Sequence, residues 1–462
     1  MFGTSGIRGR VGSDVTADLA LSVGRAVASL GAEHVVVGRD ARESGDVLRQ
    51  ALAAGLRESG ADVVDVGVAA TPTIARAVAW QDADVGVSIT ASHNPPEDNG
   101  IKLWNPNGQA FDEAQRAAVT AAVNAGDVSL RAWDELGTYE HWAGAHEAHV
   151  RALCKSVSKN ESGAASASVA TADSVSTTGS GASLDSLSIV VDVGNGVGGV
   201  TADALYELGC TVETMNAQPD GRFPARPSEP TAETCASLCA MVEAIDADLG
   251  IAHDGDADRM MAVTGDGEFV PGDLLLALFA REAAGEGDSV AAPLNTSLLV
   301  DDALASAGAS LSRTRVGDVF VADRLAESGG VFGGEMSGAW IWPAETHCPD
   351  GPLAACRLAD LVATRGPLAD LVADLDTYPI RRESIEVADK TSVMERIEVA
   401  VAARYDDVET MDGVRVDLGD AWFLVRASGT QPLVRVTAEA RTANRADDVF
   451  EAARSFVSDV TG

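Results

Sequence analysis

The chain has 462 residues, 46% of them hydrophobic, with a net charge of −36 and four lysines against 30 arginines. An acid excess of this size, spread along the chain and not gathered in a tail, repels nucleic acid and anionic membranes. It reads as the solvated acidic surface of a salt-adapted protein. No run of about 18 apolar residues is present, so no transmembrane helix is expected. The start, Met1 to Gly6, lacks the basic segment and apolar core of a signal peptide, which points to a cytoplasmic protein. Six dispersed cysteines (154, 210, 235, 239, 348 and 356) are not a disulfide framework. Cys235 and Cys239 are four apart, but no second pair follows at zinc spacing, so buried or half-buried thiols are expected.

In chain order, "EHVVVGRD" predicts a buried strand and "SGDVLRQALAAGLRESG" a helix stopped by glycine. "ADVVDVGVA" predicts the next strand, "TPTIARAVAWQ" a helix opened by Thr-Pro, and "ADVGVSIT" a strand that delivers a polar loop. This alternation implies parallel α/β layers. Residues 155–187, rich in Ser, Ala, Gly and Thr, predict a flexible linker. The α/β pattern restarts at "LSIVVDVGNGVGGVTADALYELG", at "DSVAAPLNTSLLVDDALASAG", and at "AWFLVRASGTQPLVRVTAEA" with its following helix. Four blocks result, bounded at 1–154, 188–262, 263–376 and 377–462.

Four loops carry complementary chemistry. In "SITASHNPPEDNGIKLW", Ser92 is a candidate nucleophile and Lys102 a candidate proton shuttle, which an always-charged arginine could not be. The alternative is a polar turn with a surface lysine. In "IAHDGDADRM", Asp254, Asp256 and Asp258 alternate; an extended loop would put them on one face. Three such charges are costly together unless a cation joins them, and oxygen-only ligands suit Mg2+. In "GGEMSGAW", Glu335 and Ser337 suit recognition of neighbouring hydroxyls, with a simple tight turn as the alternative. In "VRASGTQPLVRV", Arg426, Ser428, Gly429, Thr430 and Arg435 supply phosphate-binding chemistry, with no carboxylate between residues 421 and 437 to claim the arginines. A nucleophile, a metal site, a hydroxyl-reading loop and a phosphate clamp together imply phosphoryl transfer on a phosphorylated polyol.

With "FGTSGIRG" at the start, "TASHNP" with "NGIKLW", "DGDADR", "GEMSG" and "RASGTQPLVRV" in that order, the chain resembles the α-D-phosphohexomutase family over nearly its whole length. The resemblance implies four domains around a central cleft: three related mixed α/β domains and a C-terminal phosphate-binding α+β domain. It implies that Ser92 carries a phosphoryl group, gives it to one end of a sugar monophosphate, and recovers it from the other end of a hexose 1,6-bisphosphate. One Mg2+ would bridge the Ser92 phosphate and Asp254, Asp256 and Asp258. Lys102, Arg8 and Arg259 would assist proton transfer and hold transition-state charge. His93, Glu335 and Ser337 would contact substrate, and Arg426, Ser428, Gly429, Thr430 and Arg435 would grip the phosphate that is not reacting.

The chain also departs from the family pattern. The sugar loop usually ends Ser-Gly-His, and here it ends Ser337-Gly338-Ala339-Trp340, so a histidine often assigned to proton transfer is missing. Ala427 and Gln431 stand where Pro and Glu are usual, and the 155–187 tract is longer than the family's linker. "RTRVGDVFV", residues 313–321, resembles the branch that acts on glucosamine phosphate. The glucose and mannose phosphate branches, a non-catalytic phosphosugar-binding protein and a phosphatase stay open at this level.

Overall fold

The computed structural model describes residues 2–3, 6–126, 128–164, 183–428 and 432–461. It divides into two compact units, one of Met1–Leu275 with Ser337–Val372, the other of Leu276–Met336 with Ala373–Gly462.

The first unit holds two sheets. Strands β1 (Ile7–Arg10), β2 (His34–Arg39), β3 (Asp62–Val68), β4 (Val85–Ile89), β5 (Asp98–Trp104) and β6 (Tyr139–His141) form one, in the order β1-β5-β4-β2-β3-β6. β4, β2, β3 and β6 pair in parallel, with helices Gly45–Glu58 and Thr71–Trp80 as crossovers, as their apolar spacing predicts. β5 departs from the expected parallel layer, running antiparallel to both β4 and β1. The cause is loop length: Thr90–Glu97 is shorter than the dozen or so residues a parallel crossover needs. This reversal puts Lys102 opposite Ser88 and Arg8 opposite Gly100. Gly100 has to be glycine, since a Cβ there would lie 2.2 Å from the Ile7 carbonyl oxygen.

Strands β7 (Ser188–Asp192), β8 (Thr211–Met215), β9 (Leu249–His253), β10 (Met260–Thr264) and β11 (Phe269–Val270) form the second sheet, ordered β11-β10-β9-β7-β8. It runs on to Val270, past residue 262, where the sequence suggested that the block ends. β9 and β10 form a hairpin, and the aspartate loop is its turn. The helix Ala145–Ala164 continues into the stretch expected to be linker, while 165–182 lie outside the described residues.

In the second unit, β12 (Ser289–Pro293) pairs in parallel with β13 (Ser310–Thr314) and β14 (Phe332–Gly334). The two-residue strand β15 (Trp340–Ile341) belongs to the first unit. The C-terminal sheet of the second unit is antiparallel throughout: β16 (Ile380–Glu386), β17 (Val408–Glu409), β18 (Val414–Asp417), β19 (Ala421–Ala427) and β20 (Leu433–Ala440), ordered β16-β20-β19-β18-β17. The closing helix Ala443–Thr461 covers it through Val449, Phe456 and Val457. Among the described residues no helix is long and apolar enough to cross a membrane.

Candidate active site

The first unit brings the serine loop and the aspartate loop together. Ser92 Oγ donates to Asp254 Oδ2 at 2.7 Å, with Asp258 Oδ1 at 3.5 Å and His93 Nδ1 at 3.3 Å. Ser92 is 1% exposed and has φ +52°, a left-handed backbone that costs a serine about 1–3 kcal/mol unless its surroundings impose it. A solvent-exposed polar turn would not have that burial.

The three aspartates converge, but not through the extended alternation expected. The loop is a compact turn with Ala257 at φ +57°. All three are buried, and one ligand atom from each lies within 4.8 Å of the others. Lys102 Nζ donates to Asp258 Oδ2 at 2.5 Å and to Asp256 Oδ2 at 3.2 Å. Burial and the neighbouring carboxylates of Asp256 and Asp258 push the Asp254 pKa well above its usual value. Burial acts the same way on Asp256 and is the largest single influence there, but Lys102, the Thr71 hydroxyl and Arg8 together outweigh it and hold that carboxyl below the ordinary range. Asp256 Oδ1 is buried and has no hydrogen-bond partner. An orphaned carboxylate oxygen among three buried carboxylates fits a hard divalent cation with oxygen ligands.

His93 is pushed down to about 3, first by burial and then by the charges of Arg259, Arg8 and Lys102, so it stands neutral beside Ser92. All three of those charges act on His93, the chain neighbour of Ser92. Arg259 Nη1 also pairs with Glu229 at 3.0 Å. The position of the missing histidine holds Ala339, buried and bridged to Arg259, and the Trp340 indole donates to the Met260 carbonyl at 2.8 Å. That position therefore carries no polar substitute. His347 lies in a separate segment, its N–H donating to the Asn107 carbonyl.

In the second unit, Glu335 Oε1 accepts the Gly317 N–H at 2.7 Å, which ties the Glu335 loop to the 313–321 segment. Ser337 falls in the first unit, half-buried. Arg426 and Arg435 are directly opposite each other on β19 and β20. The sequence offered no nearby carboxylate, yet Asp412, just before β18, reaches Arg426 Nε at 2.9 Å because the hairpin folds back; its other oxygen accepts the Val316 N–H at 3.0 Å. Ser428 is buried and its carbonyl accepts from Lys390 Nζ at 2.5 Å, a contact that no sequence motif marked. Gly429 and Thr430 lie outside the described residues.

Cys210, Cys235, Cys348 and Cys356 are buried, and Cys154 and Cys239 are half-buried. Cys235 ends up at the start of helix Ala236–Ile245, and burial pushes it up to about 11.

Comparison with known proteins bears on this geometry directly. Models of phosphoglucomutase/phosphomannomutase domains I, II, III and the C-terminal domain match residues 1–129, 169–267, 271–378 and 384–455. A "Probable phosphoglucosamine mutase" of Methanopyrus kandleri is 45% identical over 471 residues, covering 99% of each chain. The chain belongs to the phosphoglucomutase/phosphomannomutase family. A protein of the same printed name from Methanosarcina barkeri is 41% identical, again over 99% of both. The crystal structure of a phosphoglucomutase/phosphomannomutase family protein from Burkholderia thailandensis superposes with a TM-score of 0.83 at 28% identity, covering 100% of this chain and 99% of that one. Membership of this phosphohexomutase family makes the protein an isomerase built from four α/β domains, the architecture that the ordered motifs implied.

Proposed function

We propose that the protein is a phosphoglucosamine mutase, interconverting glucosamine 6-phosphate and glucosamine 1-phosphate through a phosphoserine at Ser92 and a 1,6-bisphosphate. The observation that carries this reading is Ser92 Oγ 2.7 Å from Asp254, in a buried carboxylate trio that also grips Lys102. In the first transfer a sugar hydroxyl oxygen attacks phosphorus, the P–O bond to Ser92 breaks, and the hydroxyl proton ends on Ser92 Oγ. The second transfer reverses this at the other end of the sugar after the bisphosphate has turned over. Lys102, which shares Asp258 with the serine, relays the proton, and Arg8 and Arg259 hold charge. Mg2+, held by Asp254, Asp256 and Asp258 and by Ser92 once phosphorylated, would polarise the phosphoryl oxygens. Glu335, Ser337 and His93 contact the sugar phosphate.

The names of the relatives and the 313–321 segment favour glucosamine. A sugar that binds in two orientations offers Glu335 and Ser337 only the C3 and C4 hydroxyls in common, so C2 is read weakly. Discrimination at one polar group is large only where a buried partner would be left unpaired. With Ala339 and Trp340 buried, no polar side chain of that turn serves C2. Assays of the 1- and 6-phosphates of glucosamine, glucose and mannose with Mg2+ in high salt should show preference for glucosamine phosphate with measurable glucose phosphate turnover. Efficient mannose phosphate turnover with none of glucosamine phosphate would overturn the substrate. Turnover that depends on a trace of hexose 1,6-bisphosphate separates a mutase from a phosphatase or a binding protein.

Arg426, Ser428, Gly429, Thr430 and Arg435 form the clamp for the phosphate that is not reacting. Arg435→Ala should lower kcat/KM by about 2–4 kcal/mol equivalent, the cost of truncating a charge-assisted contact. Arg435 is exposed on β20, so its loss should leave the melting temperature nearly unchanged. Equal turnover of a non-phosphorylated sugar would sink the clamp.

The acidic surface further suggests a salt-adapted protein. At 0.01 M salt the Debye length is about 30 Å, so unscreened carboxylates repel across the surface. The melting temperature should therefore climb with KCl into the molar range, and a flat profile would remove the idea.

A further inference from the structure

Ser92 sits in a backbone conformation that serine does not choose for itself, so something outside the residue must impose it. Its carbonyl oxygen receives two donors from distant parts of the chain: Arg42 Nη2 at 2.8 Å and the Ser228 hydroxyl at 3.0 Å. The Ser228 oxygen in turn accepts the N–H of Gly255 at 2.8 Å, between two of the three clustered aspartates. One hydroxyl thus joins the backbone of the serine loop to the backbone of the aspartate loop. The two loops approach so closely that a Cβ on Gly255 would lie 2.8 Å from Ser228 Oγ and 2.9 Å from the Ser92 carbonyl oxygen.

Arg42 is fully buried and spends its guanidinium on this loop. It also donates to the carbonyls of Asn94 (2.7 Å), Pro95 (2.5 Å) and Asp98 (2.9 Å). Its Nε is fixed by Asp40 Oδ2 at 3.0 Å, and the same carboxylate oxygen accepts from Thr90 Oγ1 at 2.7 Å. Thr90 Oγ1 accepts the Ser92 N–H at 2.8 Å. A closed ring results: the N–H of Ser92 is tied through Thr90 to Asp40, and its carbonyl through Arg42 back to Asp40. Burial raises the Asp40 pKa, and Arg42 opposes that shift.

We propose that Arg42 and Ser228 are positioning residues for the phosphoryl transfer: they hold the Ser92 carbonyl, and so aim the side chain of Ser92 at the aspartate loop. Neither touches the reacting atoms. The proposal rests on Ser92 as phosphoryl carrier. A lysine cannot replace Arg42, because one ammonium cannot span four carbonyls that a planar fork reaches together. A misplacement of about 1 Å at a reacting group can cost roughly 10²-fold in rate, which sets the scale.

The test uses the full-length protein. Ser228→Ala removes one hydroxyl from a buried site and should lower kcat by roughly 10- to 100-fold, with KM for the sugar phosphate within about twofold. Arg42→Lys should lose at least as much. In the metal-free protein, hydrogen exchange of the 92–98 segment should quicken in both variants. Should Arg42→Lys fail to fold, Ser228→Ala decides alone. A Ser228→Ala protein with unchanged kcat and only a lower melting temperature overturns the proposal, and so does a raised KM at constant kcat. Intact-mass analysis of wild type comes first: absence of phosphate from Ser92 would remove the carrier reading and this proposal with it, whereas a phosphorylated wild type with a fully active Ser228→Ala sinks the positioning role alone.

Discussion

Replacing Ser92 by alanine is expected to lower turnover by at least ~10³, the scale of losing a covalent nucleophile. The fold should survive the change. Ser92 contributes one hydroxyl to the site, and the Thr90, Arg42 and Ser228 contacts go to its backbone and remain available. One cost stays: alanine at φ +52° is no easier to hold than serine, so the same ring must impose it. Intact-mass analysis should find one phosphate on the wild type and none on the variant, and peptide mapping should place it on residues 88–104. Phosphate found only at another residue, or full turnover by the variant, would remove Ser92 from the mechanism. Loss of turnover with KM unchanged would also separate the carrier from the contacts that bind sugar phosphate.

The serine loop was legible because its chemistry is contiguous: a strand, a turn with Asn-Pro, then a second strand carrying Lys102. The aspartate trio was legible for the same reason, since a β-hairpin turn keeps neighbours in sequence neighbours in space. What the sequence concealed was the way these pieces are held. Arg42 and Ser228 lie 50 and 136 residues from Ser92, and no periodicity links single residues over such spans. A faint signal existed for Arg42. "GRDAR" ends a buried strand, and an arginine two residues after an aspartate there has little water to go to. Asp412 was hidden differently: strand register decides which residue faces Arg426, and register is set by the whole β18–β19 hairpin.

The sense of the β4–β5 pairing was a tertiary matter too. A strand pattern alternating with helices favours parallel sheets, but the eight residues Thr90 to Glu97 leave no room for a crossover. That short connection is also what makes the site. Because β5 returns beside β4, Lys102 lies in the same sheet as the strand that delivers Ser92, and Arg8 follows on β1. The serine loop and the charged strand beside it are thus consequences of one topological choice.

Removing a carboxylate from the trio should have the second largest effect. Asp256→Asn is expected to weaken Mg2+ binding strongly and to lower turnover toward the metal-free level, because Asp256 Oδ1 is a buried oxygen with no hydrogen-bond partner. The amide also weakens the hold on Lys102, which now shares its charge between Asp256 and Asp258. Melting temperature gives a readout independent of activity. At free Mg2+ about 100 times Kd, binding stabilises the wild type by roughly 2.7 kcal/mol, and the variant should show much less at the same concentration. The pH dependence has a definite sign. Asp254 is raised by burial and by Asp256 and Asp258, so in the metal-free protein its ionisation destabilises the fold as pH rises above the ordinary carboxylate value of about 3.9. A divalent cation favours the ionised form. The stabilisation by Mg2+ in wild type should therefore grow from acid pH toward neutrality, and titrations in the acid range should release protons on binding. A wild type equally active and equally stable in excess chelator would show that the trio serves the fold through Lys102 and holds no cation.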